Sequence, residues 1–201
     1  NLGGAANAAR NVSSMGGRPE VFGSAGKDVF GIKMRELMKE SGIVMSGMAF
    51  SARRATVSKT RILAGDYHAQ RQQIARIDRE DGEKREEAVE SRILKRVSRR
   101  IEGAGAVILS DYGQGTLSKS VIRFLTSLAG KKRVPVVADS RHRLGDFRHV
   151  TTATPNEVEA AESAGIDTGR RDGLEKAERN LLSDLSCDSL LITRGMRGMA
   201  L

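Results

Sequence analysis

Three times in its second half the chain repeats one unit, an apolar run closed by polar residues at its carboxyl end. Residues 106–109 are followed by Ser110-Asp111-Tyr112-Gly113, residues 134–138 by Asp139-Ser140-Arg141, and residues 190–192 by Thr193-Arg194-Gly195. Between them, helical periodicity spans about 118–128, 156–164 and 173–185, with Gly130 expected just past the end of the first helix. Runs this apolar leave no wet face, and strands separated by helices lie parallel, so the pattern predicts an α/β domain with a sheet covered on both sides. In such sheets ligands bind outside the carboxyl ends of the strands, which is where these polar residues fall.

The first half is built differently. Leu2-Gly3-Gly4-Ala5-Ala6-Asn7 is a glycine turn that feeds a helix of small residues ending near Gly16, so its first amides and the Asn7 side chain are offered to a hydroxylated ligand. A strand-like run over 19–25 stops at Gly26, and a helix over about 28–40 places Phe30, Met34, Leu37 and Met38 on one face, with Gly42 as its stop. From 43 to 78 the period becomes that of strands. Segments 56–63 and 72–78 alternate about a turn at 64–68, which predicts a long hairpin excursion: a lid, a subunit contact, or an edge hairpin with charged outward residues. Residues 83–102 read as a charged helix with Val89, Ile93, Leu94, Val97 and Ile101 on one face.

Composition narrows the function classes. At 201 residues the chain suits a single cored domain, and with 3% aromatic residues its core is aliphatic. One cysteine, Cys187, excludes an internal disulfide and fits a reducing cytoplasm; no apolar run has bilayer length. The net charge of +9 comes from basic residues interleaved with acidic ones, as over 79–87, without aromatic companions. This argues against nucleic acid and suits a site for anionic small molecules. His68, His142 and His149 lack metal-ligand spacing.

Two motifs carry chemistry. Asn156 and Glu159 have capping-box spacing, and a helix start beside a strand end serves a ligand as readily as it serves the helix. Thr193-Arg194-Gly195-Met196-Arg197-Gly198 is a glycine-bounded turn after a buried strand, either a plain hairpin turn or a cradle of amides, hydroxyl and arginines for phosphates. Asp111 and Asp139 are helix caps, or ligands for sugar hydroxyls or a cation shell.

The order Gly3, Gly4, Asn7, Ala9, Gly16, Gly26 resembles the first signature of the ribokinase-like, or PfkB-type, carbohydrate kinases. Asn156-x-x-Glu159 and Thr193-x-Gly195-x-x-Gly198 resemble two further motifs of that family. Lys59-Thr60-Arg61, the run 72–78, Ser110 to Gly115, Ala153 to Glu157 and Ile192 to Gly195 are most similar to the D-glycero-β-D-manno-heptose-7-phosphate kinases, across nearly the whole chain. The resemblance implies a three-layer α/β/α sandwich with a mostly parallel sheet and a β-hairpin lid excursion over 43–78. It implies ATP- and Mg2+-dependent phosphorylation of a sugar's anomeric hydroxyl, on the way to ADP-heptose for bacterial surface polysaccharide. Gly3, Gly4, Asn7, Arg76, Asp78, Asp111 and Asp139 are then expected at the sugar, with Lys59, Arg61 or Arg141 at its phosphate. Asn156 and Glu159 order Mg2+ through water, and Thr193, Arg194, Gly195 and Gly198 face ATP. A homodimer through the hairpin and a fused nucleotidyltransferase domain are the partners it implies.

Two segments depart from that family. Asp139-Ser140-Arg141-His142 stands where many heptose kinases have Asp-Pro-Lys-Gly, and the 65–71 turn is longer than their compact hairpin. The family's Gly-Ala-Gly-Asp, whose Asp is the catalytic base, has no counterpart in this sequence and is expected beyond Leu201. The chain starts without Met inside a glycine turn and stops as a strand begins, so it reads as truncated at both ends, lacking the first strand and that region. Residues 1–201 alone are therefore expected to be inactive. The alternatives are a kinase of the same fold for another sugar, sugar phosphate or nucleoside, and a non-catalytic nucleotide-binding domain. A dinucleotide oxidoreductase is disfavoured, because no Gly-x-Gly-x-x-Gly follows a strand.

Overall fold

The computed structural model describes residues 1–65, 72–80, 87–167 and 172–201. The expected 64–68 turn with His68 and the charged run at 81–86 lie wholly or partly outside these. Contacts divide the chain into two compact units, residues 1–84 and 85–201.

In the first unit, helix α1 (Gly4–Ser14) leads to strand β1 (Glu20–Gly26), helix α2 (Val29–Glu40) and strand β2 (Val44–Ser51), and β2 pairs parallel to β1. Leu2, Ala9, Met38 and Ile43 form the small core, with Met34 and Leu37 packed against it. Phe30 lies on the same face by spacing but is 40% exposed: it stands in the first turn of α2 and is not among the residues packed on this core. Strands β3 (Ser58–Ala64) and β4 (Gln72–Arg79) form a separate antiparallel hairpin, so of the stretch 43–78 the first strand belongs with β1.

The base of this hairpin is fastened to the start of α2. Asp28 caps the helix by accepting from the Gly31 amide at 2.8 Å and also accepts from the Thr56 amide at 2.9 Å. The Thr56 hydroxyl receives the Gly26 amide at 2.9 Å. A Cβ on Gly31 would stand 2.1 Å from the Gly26 carbonyl oxygen, so only glycine permits this approach.

In the second unit, helix α3 (Glu87–Arg100) precedes strand β5 (Val107–Asp111), helix α4 (Lys119–Lys132), strand β6 (Val136–Ser140), strand β7 (Thr152–Ala153), helix α5 (Glu157–Ala164), helix α6 (Gly173–Leu185) and strand β8 (Ser189–Leu190). Strands β5, β6, β7 and β8 neighbour one another in that order, all parallel. Val136 and Ala138 of β6 are buried, as are Leu109, Ala153 and Leu190 on the neighbouring strands and Ile122, Leu125, Leu181 and Leu185 on the helices. The expected dry runs hold only in part: Val136, Ala138, Leu190 and Ile192 are buried, Val137 and Leu191 are partly buried, Pro135 is exposed, and on β5, at the end of this four-stranded sheet, Ile108 is half exposed.

Gly130 lies inside α4 rather than beyond it. The helix stops at Arg133, whose φ of 55° closes it in the left-handed region. The third apolar run is also split. Leu190 pairs with β7, whereas Ile192–Thr193 (β9) turns into an antiparallel ribbon with Met199–Ala200 (β10). Among the described residues no helix is long and apolar enough to cross a membrane.

Candidate active site

The carboxyl ends of β6, β7 and β9 bring one group of expected residues together. Asn156 caps α5: its Oδ1 accepts from the Glu159 amide at 2.9 Å, and Glu159 Oε2 accepts from the Asn156 amide at 2.8 Å. The capping box predicted from spacing is therefore formed, and it leaves Glu159 Oε1 outside the box. Asn156 is bridged in parallel to Thr193, and the Thr193 amide donates to the Pro155 carbonyl at 2.9 Å. Both motifs thus share one local frame.

After Thr193 the loop closes on itself. The Arg194 amide donates to Gly198 O at 2.8 Å, Arg197 to Arg194 O at 3.1 Å, and Gly198 to Gly195 O at 3.2 Å. This leaves the amides of Gly195 and Met196 without a backbone acceptor among the described residues. Gly195 and Gly198 have φ of 57° and 81°, which explains both glycines. Arg194 does not point into open space. Its Nε donates to Glu157 Oε1 at 2.9 Å, and Arg197 Nη2 donates to Glu157 Oε2. The sequence does not single out Glu157, since an acid in the first turn of a helix needs no explanation beyond the helix dipole. Leu201 directly follows β10 and is 81% exposed. Its apolar side chain carries no proton to exchange, so no catalytic role falls on Leu201 itself.

Asp139, near the end of β6, is half-buried, and its carboxylate has no hydrogen-bond partner among the described residues. Burial raises its pKa, and the nearby Glu159 carboxylate raises it further against the opposing charge of Arg141. Two adjacent carboxylates at the mouth of a parallel sheet are the electrostatic arrangement that a divalent cation relieves. Because the folded pKa is raised, the charged form of Asp139 costs stability at neutral pH. The wild-type protein gains that stability back as pH falls through the raised pKa toward the unfolded value. Asp139→Asn is therefore expected to raise Tm at pH 7 and to lose that advantage toward pH 4, which a thermal melt series checks; a lower Tm at pH 7 would contradict it.

Asp111 has a different role from the ligand role expected of it. Its Oδ2 accepts from Ser140 Oγ at 3.0 Å and from Arg143 Nε and Nη2 at 3.2 and 2.9 Å, while Oδ1 accepts from the Gly113 amide at 3.1 Å. Arg143 Nη2 also donates to Leu117 O at 2.8 Å. With both oxygens engaged and the residue 5% exposed, Asp111 fixes the segment after β6. Arg143 is the partner that the sequence does not announce. Arg141, by contrast, is exposed and stacks over the Tyr112 ring at 5.3 Å. A groove of about 380 Å³ opens at the opposite, amino-terminal end of these strands, lined by Arg133, His149, Ser186 and Asp188, and includes none of Asp111, Asp139, Asn156 or Thr193.

In the first unit, Gly3 caps α1 in an extended conformation with open space around it, and only Gly4, with φ of 52°, requires glycine for its backbone. Asn7 lies in the first turn of α1, its Oδ1 accepting from Arg10 Nη2 at 2.9 Å. On the hairpin, Lys59 stands opposite Asp78 and Arg61 opposite Arg76, so these four share one face. Lys59 Nζ is bound to Asp78 at 3.0 Å and Glu80 at 3.2 Å, and Arg76 Nε to Asp78 at 2.9 Å. The Lys59 bond in particular holds the Asp78 carboxyl below its usual range. Arg61 has no carboxylate partner among the described residues. Thr60 with Ile77, and Ile62 with Ala75, occupy the other face, where Ile62 and Ile77 are about half exposed.

Comparison with known proteins extends over the whole chain. The family described as pfkB family carbohydrate kinase matches residues 1–201. Bifunctional protein HldE of Trichlorobacter lovleyi is 32% identical over 201 residues, and that of Citrifermentans bemidjiense 34%; each alignment covers 100% of this chain and 40% of the relative. The chain thus spans about two fifths of the length of these curated relatives. Among solved structures, Arabidopsis thaliana ribokinase complexed with ribose and ATP superposes with a TM-score of 0.72 at 17% identity, covering 97% of this chain and 61% of that one. The tetrameric inhibited form of phosphofructokinase-2 from Escherichia coli gives 0.73 at 16% identity, covering 98% and 63%. The fold is ribokinase-like.

Proposed function

Because the chain belongs to the pfkB family of carbohydrate kinases, we propose that it carries the acceptor and nucleotide sites of an ATP- and Mg2+-dependent kinase for D-glycero-D-manno-heptose 7-phosphate, acting on the anomeric hydroxyl. The observation that supports this most is the joined frame of Asn156, Glu159 and Thr193, with the Asp139 carboxylate beside Glu159 and free of hydrogen bonds among the described residues. The HldE relatives, described as bifunctional and covered to 40% of their length, support a second activity in a longer protein; the heptose substrate and nucleotidyl transfer rest on the resemblance of the sequence motifs.

Each residue then has a bounded task. Gly3, Gly4 and Asn7 present the start of α1 to sugar hydroxyls, and Asp78 and Arg76 approach from the hairpin. Of the basic residues expected at the sugar's phosphate, Lys59 is already neutralised by Asp78 and Glu80, so Arg61 is the better candidate, with Arg141 second. Arg61 directly opposite Arg76 is a like-charge pair that an anion would relieve. Asp139 joins Asn156 and Glu159 in holding Mg2+, which supplies charge neutralisation on the nucleotide phosphates. Thr193 and the open amides of Gly195 and Met196 receive those phosphates. Positioning and electrostatics carry phosphoryl transfer, with no covalent step on the protein. The proton-accepting base is assigned to none of these residues.

ADP release by the full-length protein with Mg-ATP tests the reading, comparing heptose 7-phosphate, fructose 6-phosphate, unphosphorylated sugars and nucleosides. Turnover confined to the heptose phosphate is expected; turnover only on another acceptor would move the substrate, and none on any would refute the kinase assignment. The exposed Ile62 and Ile77 face of the hairpin fits a second copy of the chain. Sedimentation is expected to show a dimer that Ile77→Lys dissociates, and a monomeric wild-type protein would exclude it.

A further inference from the structure

The first turn of α5 holds a carboxylate that the kinase reading leaves unused. Glu157 stands between the capping pair Asn156 and Glu159, and each of its oxygens takes one arginine from the loop after β9, Arg194 on Oε1 and Arg197 on Oε2. The two pairs differ in exposure. Glu157 and Arg194 side chains are 17% and 30% exposed, whereas Arg197 is 67% exposed. The Arg194 hydrogen bond, with both arginine charges, holds the Glu157 carboxyl below its usual range, and the amino end of α5 favours the same ionised form.

This geometry separates the two arginines. Arg194 is fixed from two sides, its amide bonded to Gly198 O and its guanidinium to α5, which sets the plane of the turn at Gly195. Arg197 is held at its tip alone, in solvent, where an incoming phosphate competes on favourable terms. We propose that Glu157 is a positioning residue for the nucleotide loop. It keeps Arg194 as a strut that orients the Gly195 and Met196 amides, and it parks Arg197, which changes partner to the nucleotide phosphates. Arg194 is on this account no phosphate ligand. The inference rests on the loop's assignment to nucleotide in the preceding section.

The test uses the full-length protein and measures ATP binding by calorimetry, both KM values, kcat and Tm. Glu157→Gln is expected to raise the ATP Kd and KM about 10-fold, with the sugar KM unmoved and kcat changed far less. Glu157→Asp restores part of the loss. Arg194→Gln gives the same pattern, and the double variant is no worse than either single one, because the two residues act as one unit. Glu157→Gln that lowers Tm with unchanged ATP affinity would overturn the proposal by making the pairs merely structural, and additive losses in the double variant would assign Arg194 to the phosphates directly. Wild-type protein that binds no ATP would remove the nucleotide reading itself, and this inference with it.

Discussion

Arg143→Met is expected to cost about 3 kcal/mol of stability, read as a lower urea midpoint at unchanged m. What remains after the change decides the size of the loss. The Asp111 side chain is 4% exposed and receives two of its four hydrogen bonds from the Arg143 guanidinium, so without Arg143 a carboxylate stays buried with no counter-charge among the described residues. The Leu117 carbonyl loses a donor at the same time. Methionine preserves the length and apolar body of the stem, so packing loss does not explain the result. Combining it with Asp111→Asn is expected to recover much of the loss, since the neutral amide still accepts from Gly113 and Ser140. A single-variant cost below about 1 kcal/mol would mean that Asp111 is solvated after all.

The second large effect falls on turnover. Glu159→Gln is expected to lower kcat about 10- to 100-fold while leaving Tm nearly unchanged. Glutamine still reaches back to the Asn156 amide, as capping boxes allow, so the helix start survives and only the charge beside Asp139 is lost. Glu159→Ala removes both and is expected to show the same fall in kcat with about 1 kcal/mol of lost stability. The contrast separates the two roles that spacing alone leaves open. Equal activity of wild type and Glu159→Gln would reduce Glu159 to a cap.

What is legible in the sequence follows its physics. The capping box and the glycines of the 193–198 turn are readable, because each needs a specific residue at a fixed offset. Helix α6 is legible to the residue, because a strong apolar stripe runs between breakers. Strand β7 leaves no trace as a strand: two residues, Thr152 and Ala153, sit among other threonines and carry no period. Gly130 reads as a stop although α4 continues, since tertiary packing of Ile122, Leu125 and Ala129 outweighs the roughly 1 kcal/mol that a helical glycine costs. The partnerships of Glu157 with two arginines and of Asp111 with Arg143 join residues about 30 to 40 positions apart. No local pattern encodes such distances.

The bridge between Asn156 and Thr193 measures helix start and loop start from a common origin. A drift of the ribbon therefore carries both along and leaves their separation almost unaltered. Sequence change in the surrounding loops then disturbs the site little, whereas a single insertion between Pro155 and Asn156 would put the two scales out of register at once.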